Sequence, residues 1–371
     1  MPLPFLDLSD DDPEARGRAH GGALAVQIAR NIETCYRRFE NNGLDRGEVR
    51  RKAAAWAELV RRERPDYDLE MRAVAAGAMA DPLDVAIVNL RFEIGFPLMA
   101  RRAAAMAAEA DGCTSFAVLP EASADLQMRI GQTLDGIAAI AGNLAVIRSR
   151  RSARVTVLGL HEAGSVGPSV GLNSCGVGVV YNSLITPECA DPPQGLPFRL
   201  RVLGVLESGN FARALDVALQ APRPTATHLL LGHRDGEAVG LELASRRAAY
   251  LHPEQDIMTH ANHIERLAGV TSLFERLLPD SVFRGARLRR HLAARRGALD
   301  EAALHAALAD HFSYPSSICL HGDGTAAQER RAMTLAGIIL NLTSGVLGVT
   351  DGPPCAGALE RFSLTPPQAP A

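Results

Sequence analysis

A cysteine lies in the stretch AEADGCTSFAVLP, residues 108–120, between an alanine-rich helical segment and a short apolar strand. Asp111 and Gly112 form a turn signal directly before Cys113, and Gly112 presents a main-chain carbonyl that no Cβ shields. A thiol one residue downstream can attack that carbonyl in an N-to-S acyl shift. Hydrolysis of the resulting thioester would leave Cys113 with a free α-amine, whose ordinary pKa of roughly 7.7–8.0 suits it to accept the thiol proton. Nucleophile and base would then share one residue, although a Gly-Cys dipeptide alone is common and does not distinguish this chemistry from a packed cysteine.

The remaining candidates for chemistry are scattered cysteines and two nearby histidines. Cys35 falls on an apolar helical stripe and is predicted to be core, and Cys355 is treated as structural by default. His260 and His263 form an HxxH pair, but no third ligand stands at a recognisable spacing, so no metal and no cofactor are predicted. There is no CxxC pair among the six cysteines, which are Cys35, Cys113, Cys175, Cys189, Cys319 and Cys355.

Composition excludes several classes of partner. The chain has 371 residues, 47% of them hydrophobic and 22% charged, with a formal net charge of −3, as in an ordinary packed globular protein. This charge gives no reason to expect a nucleic acid or a membrane surface as partner. The basic run RGARLRRHLAARR, 284–296, is predicted to be a solvated helix face. Neither a secretory signal nor a membrane-spanning stretch is recognisable, so reduced thiols and a cytoplasmic location are expected.

The elements that must position these residues change in character at residue 112. Residues 20–110 show apolar residues at three-to-four spacing and are predicted to be helical. Short β-branched or alternating segments follow, with a helix in GNFARALDVALQAP and a hairpin turning at Asp235-Gly236. Residues 284–310 are predicted to return to helix, and a strand pair around TSG closes the chain before a disordered tail, TPPQAPA.

Several motifs in order resemble one enzyme family. DGCTSFAVLP followed by GQTLDG resembles the acyl-coenzyme A:6-aminopenicillanate acyltransferase family (isopenicillin-N acyltransferases and relatives), which are self-cleaving N-terminal-nucleophile (Ntn) hydrolases. The resemblance continues through RGRAHG, YRRF, GLNSCGVGVVYNSL, LLLGHRDGEAVGLE, MTHANHI and DGPPC. It implies an α+β fold, a four-layer αββα sandwich. It also implies a cut before the cysteine, giving a helical segment 1–112 and a catalytic segment 113–371 that together form one domain.

The resemblance also implies roles for individual residues. Cys113 matches the family nucleophile for both self-cleavage and turnover, and Ser115 matches a hydroxyl that assists cleavage. Asp135 matches an aspartate near the new α-amine, although without the family pattern it would be interpreted as a turn residue before Gly136. Asn262 matches an asparagine whose side-chain amide donates to the oxyanion.

Two features fit the family less closely. Either Arg330 or Arg331 matches a site arginine that binds substrate, with the register between them open and Arg331 preferred. The family commonly has GQNWD where this chain has Thr133 and Leu134 before the aspartate, so the Asn and Trp are lost. The changes at Thr133 and Leu134 fall near the expected pocket. The resemblance therefore predicts the type of reaction better than it predicts which acyl group the pocket accepts.

The predicted function is an autoproteolytic cysteine acyltransferase or amidohydrolase that acts on non-peptide carbon–nitrogen bonds through a Cys113 thioester. Water as acceptor would make it a hydrolase, and an amine would make it a transferase. The expected partners are a small acyl amide or an acyl-coenzyme A donor, and the chain's own cleaved fragment. Two alternatives remain open: an uncleaved, non-catalytic member of the fold that binds a metabolite or partner, and an uncut Cys/His hydrolase using His260 or His263.

Overall fold

The computed structural model describes residues 2–104, 112–322, 324–325 and 331–365. Within these ranges the helices are α1 (Pro13–Ala23), α2 (Ala25–Asn41), α3 (Arg46–Glu63), α4 (Pro65–Ala78), α5 (Pro82–Asn89), α6 (Arg91–Ala104), α7 (Phe198–Leu206), α8 (Phe211–Leu219), α9 (Ser281–Ala293) and α10 (Glu301–Leu308). The strands are β1 (Phe5–Leu8), β2 (Cys113–Val118), β3 (Arg129–Ile137), β4 (Leu144–Arg150), β5 (Thr156–Glu162), β6 (Val170–Asn173), β7 (Val177–Leu184), β8 (Ala226–His233), β9 (Glu237–Leu243), β10 (Ala248–Leu251), β11 (Ile257–His260), β12 (Ala332–Asn341), β13 (Val346–Val349) and β14 (Glu360–Ser363).

Aspartate caps begin several helices of the N-terminal segment. The Asp12, Asp45 and Asp81 carboxylates accept main-chain N–H groups at the starts of α1, α3 and α5. Pro13 occupies the first turn of α1, where a missing N–H costs nothing. The helical segment predicted from residue 20 is therefore confirmed over the described residues, but it begins earlier, at this Asp-Pro start signal.

The strands form two sheets. The eight-stranded sheet has the order β1-β4-β5-β6-β7-β8-β9-β10, and the six-stranded sheet has the order β11-β2-β3-β12-β13-β14. The predicted change to strands is confirmed, because β2 begins at Cys113. The segment before it is not wholly helical, since β1 pairs in parallel with β4, with Phe5 opposite Val146. The sequence of β1, FLDL, does not alternate apolar and polar residues, so periodicity gives no sign of this strand.

The two sheets pack face to face near the start of β2. Side chains alternate along a strand, so Cys113 and Ser115 point to the same side of β2. Ser115 Oγ donates to Asn182 Oδ1 of β7 across the interface, at 2.6 Å. Gly178 of β7 allows close approach there, because a Cβ at this position would lie 3.2 Å from the Ile130 side chain of β3. Cys113 is therefore between the sheets.

Helices cover both outer faces. Leu288 of α9 and Leu304 of α10 pack against Phe116 of β2 on the outer face of the six-stranded sheet. Leu203 of α7 and residues of α4 and α5 pack against Ile147 of β4 on the outer face of the other sheet. The four-layer αββα sandwich is thus confirmed as the architecture, in the α+β class.

The later helical region differs from its prediction. The helix expected over 284–310 is two helices, and Gly297 between them has φ +81°, which no α-helix accommodates. The predicted strand pair around TSG is confirmed as β12 and β13, while residues 366–371 of the tail lie outside the described residues. Among the helices described, none combines the length and the apolar character that crossing a bilayer requires.

Candidate active site

Hydrogen bonds hold the peptide that joins Gly112 to Cys113 on both sides. The Gly112 carbonyl accepts from the Asp135 main-chain N–H at 3.1 Å, through continued pairing of β2 with β3. The Cys113 N–H donates to Asn262 Oδ1 at 2.8 Å. The Cys113 carbonyl accepts from Arg284 Nη1 at 2.7 Å. Cys113 is only 2% exposed, so its side chain and main chain are almost wholly buried.

The Asn262 side chain has one possible orientation. Its Oδ1 accepts from the Cys113 N–H and from Arg284 Nη2, at 2.8 and 2.9 Å, and both partners are donors only. Its Nδ2 donates to the Ser183 carbonyl at 3.0 Å, and its own N–H donates to Ser281 Oγ at the start of α9. An oxyanion donor role would therefore fall to the second N–H on Nδ2, while the carbonyl oxygen faces the Cys113 nitrogen.

Asp135 is a strand residue in β3, which excludes the turn interpretation. Thr334 of β12 lies directly opposite it and donates from Oγ1 to Asp135 Oδ1 at 2.7 Å. The other carboxylate oxygen crowds Gly112, since a Cβ there would lie 3.1 Å from Oδ2 and 3.2 Å from Arg284 Nη2. Glycine before the cysteine thus lets the carboxylate and the guanidinium approach the peptide closely.

Arg284 of α9 is a site residue that the sequence interpretation missed. The guanidinium is 1% exposed and bonds Asp280 Oδ2 through Nε and Thr114 Oγ1 through Nη1, at 2.8 and 2.7 Å. The expectation that residues 284–296 form a solvated face is wrong at this position. Helical spacing could have indicated that Arg284 is buried, because Arg284 shares its helix face with the buried Leu288 and Leu292 at i+4 and i+8.

The arginine chosen from the sequence lies elsewhere. Arg331 precedes β12, and its carbonyl accepts from the Ala138 N–H at 2.8 Å. It is not among the described residues that line the cavity at Cys113. Arg330 lies outside the described residues.

Ser115 begins a buried polar chain between the sheets. Asn182 Oδ1, which accepts from the Ser115 hydroxyl, also faces His228 Nδ1 at 2.9 Å, so that nitrogen carries the proton. The His228 ring stacks on His260 with centroids 3.7 Å apart. Burial, and then the neighbouring His260, hold the pKa of His228 well below its ordinary value. Ser115 is therefore oriented by a neutral histidine through an asparagine.

The two histidines of the HxxH pair have partners of their own. His260 ends β11, with Nε2 2.9 Å from Glu242 Oε1 and Nδ1 2.7 Å from the Ala261 carbonyl. His263 Nδ1 lies 3.0 Å from Ser281 Oγ. Neither ring lines the cavity beside Cys113 in the described part of the chain.

A cavity with both apolar and charged walls opens beside Cys113, between α2, α6 and the two sheets. At one wall Glu162 pairs with Arg91 and, at 2.8 Å, with Arg199. Burial alone would raise the pKa of Glu162, but these two guanidinium groups lower it to about 2. The aromatic and aliphatic residues that line the cavity are Phe39, Phe92, Phe96, Leu98, Met99, Leu134, Ile140, Tyr181 and Leu335.

No protein-family model matches the chain. It is 28% identical over 316 residues, 83% of this chain and 82% of the other, to the acyl-coenzyme A:6-aminopenicillanic-acid-acyltransferase 40 kDa form of Emericella nidulans. The resemblance predicted from the motifs is thus confirmed over most of the chain.

Solved structures with weaker likeness include the Caenorhabditis elegans N-acylethanolamine-hydrolyzing acid amidase ortholog. That chain has a TM-score of 0.44 and 13% identity, over 62% of this chain and 93% of its own. Penicillin V acylase from Agrobacterium tumefaciens has a TM-score of 0.43 and 15% identity, over 64% of this chain and 83% of its own.

Proposed function

We propose that this chain, which is similar to an acyl-coenzyme A-dependent acyltransferase, is an Ntn-type enzyme acting on acyl–nitrogen bonds. It cleaves itself between Gly112 and Cys113 and then uses Cys113 as the nucleophile. The observation that carries the proposal is the Gly112–Cys113 peptide, held by Asp135, Asn262 and Arg284 at the edge of a cavity.

Self-cleavage uses groups that already contact this peptide. The Cys113 sulfur attacks the Gly112 carbonyl carbon, the carbon–nitrogen bond breaks, and the thiol proton ends on the Cys113 nitrogen. The Asp135 N–H, 3.1 Å from the Gly112 carbonyl oxygen, donates to that oxygen as negative charge develops on it. Water then cleaves the thioester, leaving a carboxylate on Gly112 and a thiol beside a free α-amine on Cys113.

The same groups then serve turnover. The α-amine replaces the peptide N–H as donor to Asn262 Oδ1 and accepts the thiol proton when Cys113 attacks an acyl carbonyl. Arg284 donates to the same oxygen at 2.9 Å, and a cation this close disfavours the ammonium form of the amine. The free N–H on Asn262 Nδ2 supports the oxyanion. The amine of the substrate leaves with the proton, and Cys113 keeps the acyl group as a thioester.

The cavity favours an apolar acyl group. Cys113 lines the cavity together with aromatic and aliphatic side chains, and burial of apolar surface against them would stabilise a bound hydrocarbon chain. Water completes hydrolysis of the thioester, and an amine that excludes water completes transfer. The donor is a small acyl amide or an acyl-coenzyme A.

Intact-mass spectrometry of the purified protein tests this function. Wild type should give two chains, one ending at Gly112 and one beginning at Cys113. The two chains should co-elute as one species, and that species should consume an N-acyl amide substrate. Co-elution is expected because Phe92, before the cut, packs with Tyr181, after it, in one buried core. Cys113→Ala should remain one chain without activity.

Cys175→Ser is the matched control, since Cys175 is a partly exposed thiol outside the site, and it should be cleaved like wild type. An uncut wild-type chain that turns over substrate would overturn the proposal and favour an internal Cys/His hydrolase. An uncut chain that neither reacts nor is labelled at Cys113 by an acyl analogue would instead favour a binding protein.

A further inference from the structure

Two cysteines and two histidines lie close together outside the site already described. Cys319 and His321 lie in the loop between α10 and β12, with His311 earlier in the same loop. Cys355 lies in the turn between β13 and β14. One ligand atom from each residue lies within 4.8 Å of all the others. The cluster therefore joins two separate chain segments.

The spacing of the ligand atoms matches a tetrahedral metal site. Zinc–nitrogen bonds of about 2.0–2.1 Å and zinc–sulfur bonds of about 2.3 Å give tetrahedral edges of about 3.3 Å for N–N and about 3.6 Å for N–S. His311 Nε2 lies 3.0 Å from His321 Nε2. His321 Nε2 lies 3.6 Å from Cys319 Sγ and 3.4 Å from Cys355 Sγ. These three distances differ from the tetrahedral edges by no more than about 0.3 Å, and every other pair of ligand atoms lies within 4.8 Å.

We propose that His311, Cys319, His321 and Cys355 bind a structural zinc ion. Two thiolates and two imidazoles are the donor set that zinc takes up in tetrahedral sites. Four protein ligands fill the coordination sphere, so the ion would have no open position for chemistry. His311 and Cys355 are exposed at the surface, which allows an ion to enter, and Cys319 is buried. The sequence pattern gives no sign of this site, because the four ligands follow no recognised spacing.

The proposed ion would hold the strand that positions Asp135. Leu320, between two of the ligands, donates its N–H to Thr334 Oγ1 at 2.8 Å and accepts the Thr334 N–H at the same distance. Thr334 in turn donates to Asp135 Oδ1 at 2.7 Å. The metal ligands thus flank the residue that orients Thr334. We expect metal removal to loosen this segment whether or not the chain cleaves itself.

Metal analysis of the full-length protein, produced with zinc in the medium, tests the proposal. Wild type and the control Cys175→Ser should carry about one zinc per chain. Cobalt exchanged into the site should give the visible bands of tetrahedral cobalt and a thiolate charge-transfer band. The two exposed ligands are substituted, because a change at the buried Cys319 would also affect folding. Cys355→Ser and His311→Gln should weaken zinc binding by more than the roughly 10- to 100-fold that loss of an outer-shell partner costs.

Removal of the ion should also increase hydrogen exchange at the Leu320 and Thr334 amides, in folded protein monitored by circular dichroism. Absence of bound zinc from the wild type would overturn the proposal. A Cys319–Cys355 disulfide, seen as the loss of both thiol hydrogens in the mass, would do so too. Cobalt binding without the thiolate band, or binding unchanged in both ligand variants, would place the ion elsewhere.

Discussion

At the scale of single residues, the proposed chemistry depends on the contacts of one oxygen atom, Asn262 Oδ1. Asn262 Oδ1 accepts from the Cys113 nitrogen and from Arg284, so nitrogen and guanidinium are held on a shared acceptor. After cleavage, this arrangement would place a fixed cation next to the α-amine. A neighbouring positive charge lowers the pKa of an amine, which keeps more of it neutral and able to accept a proton near pH 7.

Arg284→Gln should raise the pKa of that amine and shift the acid limb of the kcat/KM profile to higher pH. The expected shift is roughly one pH unit, the size that a single nearby charge produces. At pH 7 the loss of neutral amine should reduce kcat/KM by up to about tenfold. The measurement is the pH dependence of kcat/KM on an N-acyl amide, using cleaved protein.

Two further variants separate charge from folding. Arg284→Lys retains the positive charge and should leave the acid limb close to its wild-type position. Arg290→Gln removes an exposed charge from the same helix and should change nothing. An acid limb that stays fixed in Arg284→Gln would show that the guanidinium does not tune the α-amine.

At the scale of elements, α1 and α4 pack with their backbones in contact. A Cβ at Gly21 would lie 2.1 Å from the Val74 carbonyl oxygen, and one at Gly17 would lie 2.4 Å from the Glu70 carbonyl oxygen. Gly22, one residue on, faces away, and its nearest neighbour would be 3.9 Å from a Cβ. The GRAHGG sequence therefore marks a helix contact that only glycine permits.

Gly21→Ala should lower the free energy of unfolding by about 1–3 kcal/mol, because the added methyl overlaps rigid backbone. Gly22→Ala is the matched control and should be neutral or stabilising by up to about 1 kcal/mol, since alanine favours helix over glycine. Equilibrium urea unfolding measures both. Equal effects of the two substitutions would contradict the close approach of α1 and α4.

At the scale of the whole molecule, buried contacts join the segments before and after residue 113. Glu93 of α6 accepts the Phe198 N–H at the start of α7, at 2.7 Å. Burial raises the pKa of Glu93 to about 7. His20 of α1 accepts the Gly164 N–H at 3.1 Å, and burial lowers its pKa to about 4. These bonds cross the proposed cut and do not depend on it.

Glu93 should make the molecule less stable as pH rises from about 4.5 to about 7. In this window the folded protein keeps a proton that the unfolded chain has released, so the free energy of unfolding falls with pH. Glu93→Gln should remove up to about 3 kcal/mol of that pH dependence. The measurement is urea unfolding of both proteins at pH 5 and pH 8.

His20 titrates in the opposite direction, since its lowered pKa makes stability rise with pH between about 4 and 6.5. The wild type and Glu93→Gln both contain His20, so the difference between their free energies of unfolding reports on Glu93 alone. A wild-type minus variant difference that stays constant with pH would exclude a raised Glu93 pKa.

Local patterns were sufficient for the helix-to-strand change at residue 112, for the hairpin turning at Asp235-Gly236 and for the strand pair around TSG. Helical and strand periodicities, turn residues and a glycine before a cysteine are properties of neighbouring residues, so the sequence carries them directly. The approximate order of the layers followed from the resemblance.

The tertiary structure decided which distant residues meet. Arg284 reaches the Cys113 carbonyl only because α9 packs on the outer face of β2, and Thr334 faces Asp135 only because β12 pairs with β3. The histidine and cysteine cluster likewise draws on two loops separated along the chain. Such pairings depend on sheet register and layer packing, which no local spacing encodes, and a buried arginine in a basic run looks solvated until its helix is docked.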